Sequence, residues 1–130
     1  MQYIKETAQN EHELQKNCVR RLTHNGYLVS CNDVFNSLSF VRDVKSKAIL
    51  KRHLIAMGST VGFPDITIFK KLKPIFVEFK FGDRGKLSFD QETIHNKLRS
   101  QGYEVLVWRT ENECYEWILN DLNNSKKDEI

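Results

Sequence analysis

Apolar residues first recur at helical spacing at Leu14, Cys18 and Leu22, which share one stripe. Asn10 stands before that stripe as an N-cap, Glu13 occupies the reciprocal position of a capping box, and Gly26 is placed to end the helix in a left-handed conformation. Tyr27 to Cys31 reads as a short strand. The stretch from Asn32 to about Asp43 is rich in Asn, Ser and Asp and reads as loop, although Val34, Phe35, Leu38, Phe40 and Val41 leave a further strand open. Lys45 to Met57 carries Ile49, Leu50, Leu54 and Met57 against Lys47, Lys51 and Arg52, which predicts a second helix ended by Gly58. Gly62-Phe63-Pro64 then interrupts regular structure. Asp65 to Phe69 and Ile75 to Phe81 read as strands joined by a turn around Lys71 and Leu72. Ser88-Phe89-Asp90-Gln91 has the form of a capping box opening a helix to about Gln101, with Gly102 closing it. Glu104 to Arg109 is a last strand. Thr110-Glu111-Asn112-Glu113 is a second capping box, before a helix with Cys114, Trp117, Ile118 and Leu122 facing inward. Such alternation implies an α/β fold, a mixed sheet with helices on its faces.

Period-two alternation makes a definite statement about Ile75 to Phe81. Ile75, Val77, Phe79 and Phe81 share one face, so Glu78 and Lys80 lie side by side on the other. Four large apolar residues mark a buried face, and the neighbouring strands suggest a central position. A carboxylate and an ammonium there are costly unless paired, solvated in a cleft or bound to a metal. A tight hairpin centred on Lys71-Leu72 sets Asp65 opposite Glu78, with Cβ atoms roughly 5 Å apart. Two carboxylates that close repel, and a divalent cation is the usual reason to tolerate them. Glu11 continues the stripe of Leu14 and Cys18 and is expected to point toward the sheet, whereas Glu13 is off the stripe and serves the cap.

The chain has 130 residues, enough for one domain, expected at 1–122 with a polar tail at 123–130. Hydrophobic residues make up 40% and charged residues 28%, which argues against global disorder. The start of the chain lacks the apolar stretch of a signal peptide and no apolar run approaches a membrane span, so a cytoplasmic or other reducing compartment and no membrane partner are expected. Cys18, Cys31 and Cys114 show no CxxC spacing; neither a disulfide framework nor a zinc site is indicated, and Cys18 and Cys114 read as small core residues. The formal net charge of +3 permits nucleic-acid binding without requiring it.

Together these residues resemble the PD-(D/E)xK nuclease superfamily, and more closely its VRR-NUC (virus-type replication-repair nuclease) family. The resemblance rests on Glu11 with Leu14-Gln15, Ala56-Met57-Gly58, Gly62-Phe63-Pro64-Asp65, Val77-Glu78-Phe79-Lys80, Leu87-Ser88-Phe89-Asp90-Gln91 and Gly102-Tyr103-Glu104-Val105. Any one motif is weak; their order and spacing are specific, from about residue 11 to residue 118. It implies a restriction-endonuclease-like core and a structure-selective DNA endonuclease similar to Holliday-junction resolvases, at work in the cell or in the host cell of a phage or virus. Asp65 and Glu78 would ligate Mg2+ or Mn2+, the Phe79 carbonyl would add a ligand, and Glu11 would complete or orient the shell. Lys80 would steer the attacking water or stabilise charge on the phosphate, with Gln91 in support. A junction holds two scissile phosphodiesters, so a symmetric homodimer is expected.

Taken singly, each residue has a plainer reading. Glu78 and Lys80 read as a solvated pair, Asp65 after Pro64 as a turn residue, Glu11 as an anion favoured at the positive end of a helix, and Gln91 as the third residue of the Ser88 box. His12, His24, His53 and His95 share no metal-ligand spacing and read as surface residues. Lys51 and Arg52 on the second helix, and Arg84 and Lys86 in the loop after the central strand, are the candidate phosphate contacts, though such charges also serve solubility. Alternatives are a flap or single-strand nuclease of the same fold, a catalytically silent nucleic-acid-binding module, and a protein-interaction domain without nucleic-acid affinity.

Overall fold

Asn10 caps the first helix, α1 (Glu11–His24), its side chain accepting from Glu13 N at 2.9 Å. Glu13 makes the return bond one residue further back than a simple box requires, to Gln9 N at 2.5 Å. The computed structural model describes residues 3–128. After α1 come β1 (Leu28–Cys31), a 3₁₀ helix (Phe35–Phe40), α2 (Val44–Ala56), β2 (Ile66–Phe69), β3 (Pro74–Phe79), α3 (Phe89–Ser100), β4 (Glu104–Trp108) and α4 (Glu111–Asp128). The fold is α/β, a four-stranded mixed sheet in the order β1-β2-β3-β4 flanked by helices. β1 and β2, and β2 and β3, pair antiparallel; β3 and β4 pair parallel. Parallel neighbours need a crossover, which α3 supplies.

One sheet face carries the main core. Ile66, Ile68, Ile75, Val77, Phe79 and Trp108 alternate onto it and meet Leu14, Cys18 and Leu22 of α1 and Cys114 and Ile118 of α4. Each large apolar side chain so buried contributes about 1.5–3 kcal/mol. Cys18 and Cys114 are indeed core residues, the Cys114 thiol directed at the Cys18 carbonyl at 3.8 Å. The opposite face is thinner: Phe76 is flanked edge-on by Phe63 and Tyr103, with centroids at 5.4 and 5.7 Å.

Four regions differ from the expectations, the first being the end of the central strand: β3 stops at Phe79, and Phe81 is exposed rather than on the buried face. Residues 34–41 extend no sheet; part of the segment coils into the 3₁₀ helix. Polar side chains bonded locally, such as Ser39 Oγ to Asn36 O at 2.8 Å, favour tight turns over a strand ladder. α2 forms, yet it buries no residue and packs, among the described elements, only against the 3₁₀ helix. Ile49, Ile55 and Met57 are left exposed. Finally, α4 continues to Asp128 through most of the segment expected as a tail, and Leu122 is exposed rather than inward. Residues 129–130 lie outside the described residues. Among the described residues no helix is long and apolar enough to cross a membrane.

An N-terminal strap, unforeseen from the sequence, closes the core at α4. Glu6 accepts from Glu111 N at 2.6 Å and Asn112 N at 2.8 Å, placing a carboxylate on the unsatisfied N–H groups of the helix start. Glu111 answers by accepting from Thr7 N at 2.7 Å and Ala8 N at 3.0 Å, and Asn112 brackets the Ile4 backbone. Glu111→Ala strands two N–H donors and is expected to cost roughly 1–3 kcal/mol, read as a lower urea midpoint. A midpoint unchanged within error would show that the strap contributes nothing to stability.

Candidate active site

Ile66 faces Val77 in the hairpin, so the register carried one step outward sets Asp65 opposite Glu78. Phe79 points into the main core, which by alternation turns Glu78 and Lys80 to the other face. Asp65 is 7% exposed and Glu78 only 1%. The Asp65 Oδ2 accepts the Phe79 main-chain N–H at 2.7 Å, a bond that ties the end of β2 to β3. Asn32 N donates to Asp65 O at 2.7 Å, continuing the β1 edge past its last residue. Lys80 is half-buried just beyond β3, held by its N–H to Trp108 O at 3.0 Å.

The charges at this end of the sheet sense one another. Burial, then a hydrogen bond shared with Glu78 and that neighbour's negative charge, pushes the Asp65 carboxyl up to about 8, against the pull of the Phe79 N–H. Burial also raises Glu78, opposed by its bond to Asp65 and by the Lys80 ammonium. Glu11, which continues the stripe of Leu14 and Cys18, is exposed. Its carboxyl is nonetheless raised, first by lost solvation, with Lys80 opposing and Asp65 adding. It belongs to the same electrostatic neighbourhood, from its outer edge.

Gln91 stays within its capping box. Its Oε1 accepts from Ser88 N at 2.9 Å and its N–H donates to Ser88 Oγ at 3.1 Å, so the structural reading accounts for it. Arg84 and Lys86 are exposed on a loop that Arg109 pins, donating to Gly82 O at 2.9 Å and Gly85 O at 2.5 Å. Lys51 and Arg52 are exposed on α2, a helix set apart from the sheet.

Two residues near the acidic pair were not anticipated. His95, expected at the surface, is 0% exposed, with Nε2 3.2 Å from Glu78 Oε1. Its pKa is lowered by burial first and by the Arg99 charge second. The signal was available: Gln91, Ile94, His95 and Leu98 follow the i, i+3, i+4, i+7 rule, which puts His95 on the inward stripe of α3. Asp33 adds negative potential at Glu11, Asp65 and Glu78. Its proximity comes from the pairing of β1 with β2, and local sequence carries no hint of it.

Among the described residues no group of three or more His, Cys, Asp or Glu side chains closes around a point as a protein cage would. Two hard-oxygen donors that repel each other are present instead. Mg2+ keeps much of its water and is bound through one or two carboxylates, so Asp65 and Glu78 suit it better than a caged ion. A groove of about 680 Å3 lies at the other end of the sheet, lined by Lys70, Lys71, Leu72 and Lys73 at the hairpin turn, and contains none of these residues.

No family model, curated protein or solved structure matches the chain. Fold and site alone therefore define its class: an α/β domain with a buried carboxylate pair and an adjacent lysine at one end of a mixed sheet.

Proposed function

We propose that the chain is a Mg2+- or Mn2+-dependent nuclease of the PD-(D/E)xK type, of the VRR-NUC kind, hydrolysing phosphodiesters in branched DNA. The observation that carries this reading is the juxtaposition of Asp65 and Glu78, both buried and on one sheet face, with Lys80 two residues after Glu78, just past the end of the strand. The mixed sheet flanked by helices supports a restriction-endonuclease-like core. An isolated surface ion pair would not be buried to this depth, and a turn aspartate would not accept a main-chain N–H from the neighbouring strand.

Asp65 and Glu78 would hold the metal, with the Phe79 carbonyl a further candidate ligand. A hard divalent ion supplies a nucleophile at neutral pH and neutralises charge on the phosphate. Glu11, at the rim, orients water entering the site. Lys80 stands beside the acidic pair, where it stabilises charge gathering on the scissile phosphate. Arg84 and Lys86, on the loop that leaves β3, and Lys51 and Arg52, on α2, track the phosphate backbone; such contacts bind with steep salt dependence and little sequence preference. A homodimer would present two such sites to a junction.

The test is cleavage of a four-way junction, a flap, a duplex and a single strand, with Mg2+ or Mn2+ and with chelator. Paired incisions confined to the junction and lost on dilution support the dimeric resolvase reading. Cutting restricted to the flap or single strand replaces the substrate; absence of nicking on every substrate with Mn2+ overturns the enzyme. Lys80→Met, which keeps the apolar stem of a half-buried side chain, is expected to leave folding intact and lower the cleavage rate by on the order of 10²–10³.

A further inference from the structure

Helix α3 turns Ile94 and Leu98 inward, and a third apolar residue at position 95 would fill the space without bringing a polar ring out of water. His95 is there instead, fully buried, with Nε2 3.2 Å from Glu78 Oε1. Its other nitrogen, Nδ1, is buried and has no hydrogen-bond partner among the described residues. With Glu78 ionised its carboxylate can only accept, and the imidazole then donates from Nε2 and leaves Nδ1 as an unprotonated, unpartnered acceptor. A buried ring nitrogen left unsatisfied calls for an explanation, and the bond made by the other nitrogen offers one.

That task is defined by the two carboxylates. Asp65 is anchored through Oδ2 by a main-chain N–H of β3, and Glu78 through Oε1 by the imidazole of α3. Each acid thus has one oxygen tied to the scaffold, and in the metal-free protein the two carboxyls also share a hydrogen bond with each other. We propose that His95 is a positioning residue, whose Nε2–H bond to Glu78 Oε1 sets the orientation in which the remaining oxygen of Glu78 meets a divalent cation beside Asp65. The inference rests on the nuclease reading of the site and adds a residue to it. Outer partners that orient a ligating carboxylate typically change metal affinity by about 10–100-fold when removed.

The experiment uses the full chain and Mn2+ as the probe, with titration calorimetry for affinity and circular dichroism for folding. His95→Phe fills the space without a donor; His95→Gln restores an N–H near the position of Nε2. His95→Phe is expected to fold and bind Mn2+ about 10–100-fold more weakly than wild type, with His95→Gln recovering most of the loss. Long-range proton–nitrogen correlation spectra of the metal-free wild type are expected to show His95 as the Nε2–H tautomer, with a resonance that moves in Glu78→Gln. A folded His95→Phe with wild-type Mn2+ affinity, a His95→Gln no better than His95→Phe, or an Nδ1–H tautomer overturns the positioning role while leaving the nuclease reading intact. Wild type that binds no Mn2+ overturns both. Should His95→Phe fail to fold, the tautomer and His95→Gln still decide.

Discussion

Asp65→Asn is expected to make the metal-free protein more stable at pH 8 and above while abolishing metal-dependent cleavage. The two effects have one cause. Metal-free and folded, Asp65 shares a buried space with Glu78 and keeps its proton up to about pH 8; unfolded, it loses that proton near pH ~4. Between those values the folded state binds more protons than the unfolded state, so stability falls as pH rises through the window. The penalty is absent below the unfolded value and complete above the folded one. Asn carries no charge, yet its amide oxygen can still accept from Phe79 N and its NH2 can donate to Glu78. The variant is therefore expected to show a flatter profile and to exceed wild type by roughly 1–3 kcal/mol at high pH. Melting curves from pH 4 to 9 in chelator test this, and parallel profiles for the two proteins would refute it. Under the nuclease reading, Mg2+ at a hundred times its dissociation constant stabilises wild type by about 2.7 kcal/mol and the variant by far less. Cleavage is expected to fall by on the order of 10³ or more.

This opposition explains why the carboxylate pair is legible in sequence. An alternating strand with Glu78 and Lys80 on the face opposite Ile75, Val77 and Phe79 has no purely structural advantage, and the register of a short hairpin is set by its turn. The observed pairing of Ile66 with Val77 is the one a turn at Lys71-Leu72 dictates. Capping residues were equally readable, because Asn10, Ser88 and Thr110 act on N–H groups three residues away. Contacts made by chain ends and by edge pairing were not. Glu6 meets Glu111 across almost the whole chain, and Asp33 reaches the site only because β1 lies beside β2. The surroundings of His95 lay between these cases: its stripe was visible, but the prior for histidine as a surface residue obscured it. α2 shows the limit of local pattern. Apolar residues at helical spacing produced the helix, and nothing in the pattern specified that its apolar side would stay uncovered.

Gly62→Ala is expected to be among the most damaging single substitutions, through the backbone rather than through any lost contact. Gly62 has φ +87°, and a Cβ there would stand 2.5 Å from both the carbonyl carbon and the oxygen of Asp90 and 2.8 Å from Gln91 N. These are main-chain atoms in the first turn of α3, which cannot rotate aside as a flexible side chain would. The close approach fixes the turn carrying Pro64 and Asp65 against the helix carrying His95, so it sets the distance between the two arms of the site. Gly58 provides the control, since its φ is +106° but a Cβ there meets nothing within 4 Å. Gly58→Ala should therefore incur only the left-handed backbone cost of about 1–2 kcal/mol. Gly62→Ala adds a main-chain collision and should cost about 3–5 kcal/mol in all. A displacement of about 1 Å at Asp65 would also lower cleavage by on the order of 10², beyond what partial unfolding explains. Urea unfolding of both variants, with cleavage measured where each is fully folded, separates the contributions; equal losses in the two proteins would show that the contact with α3 does not hold Asp65 in place.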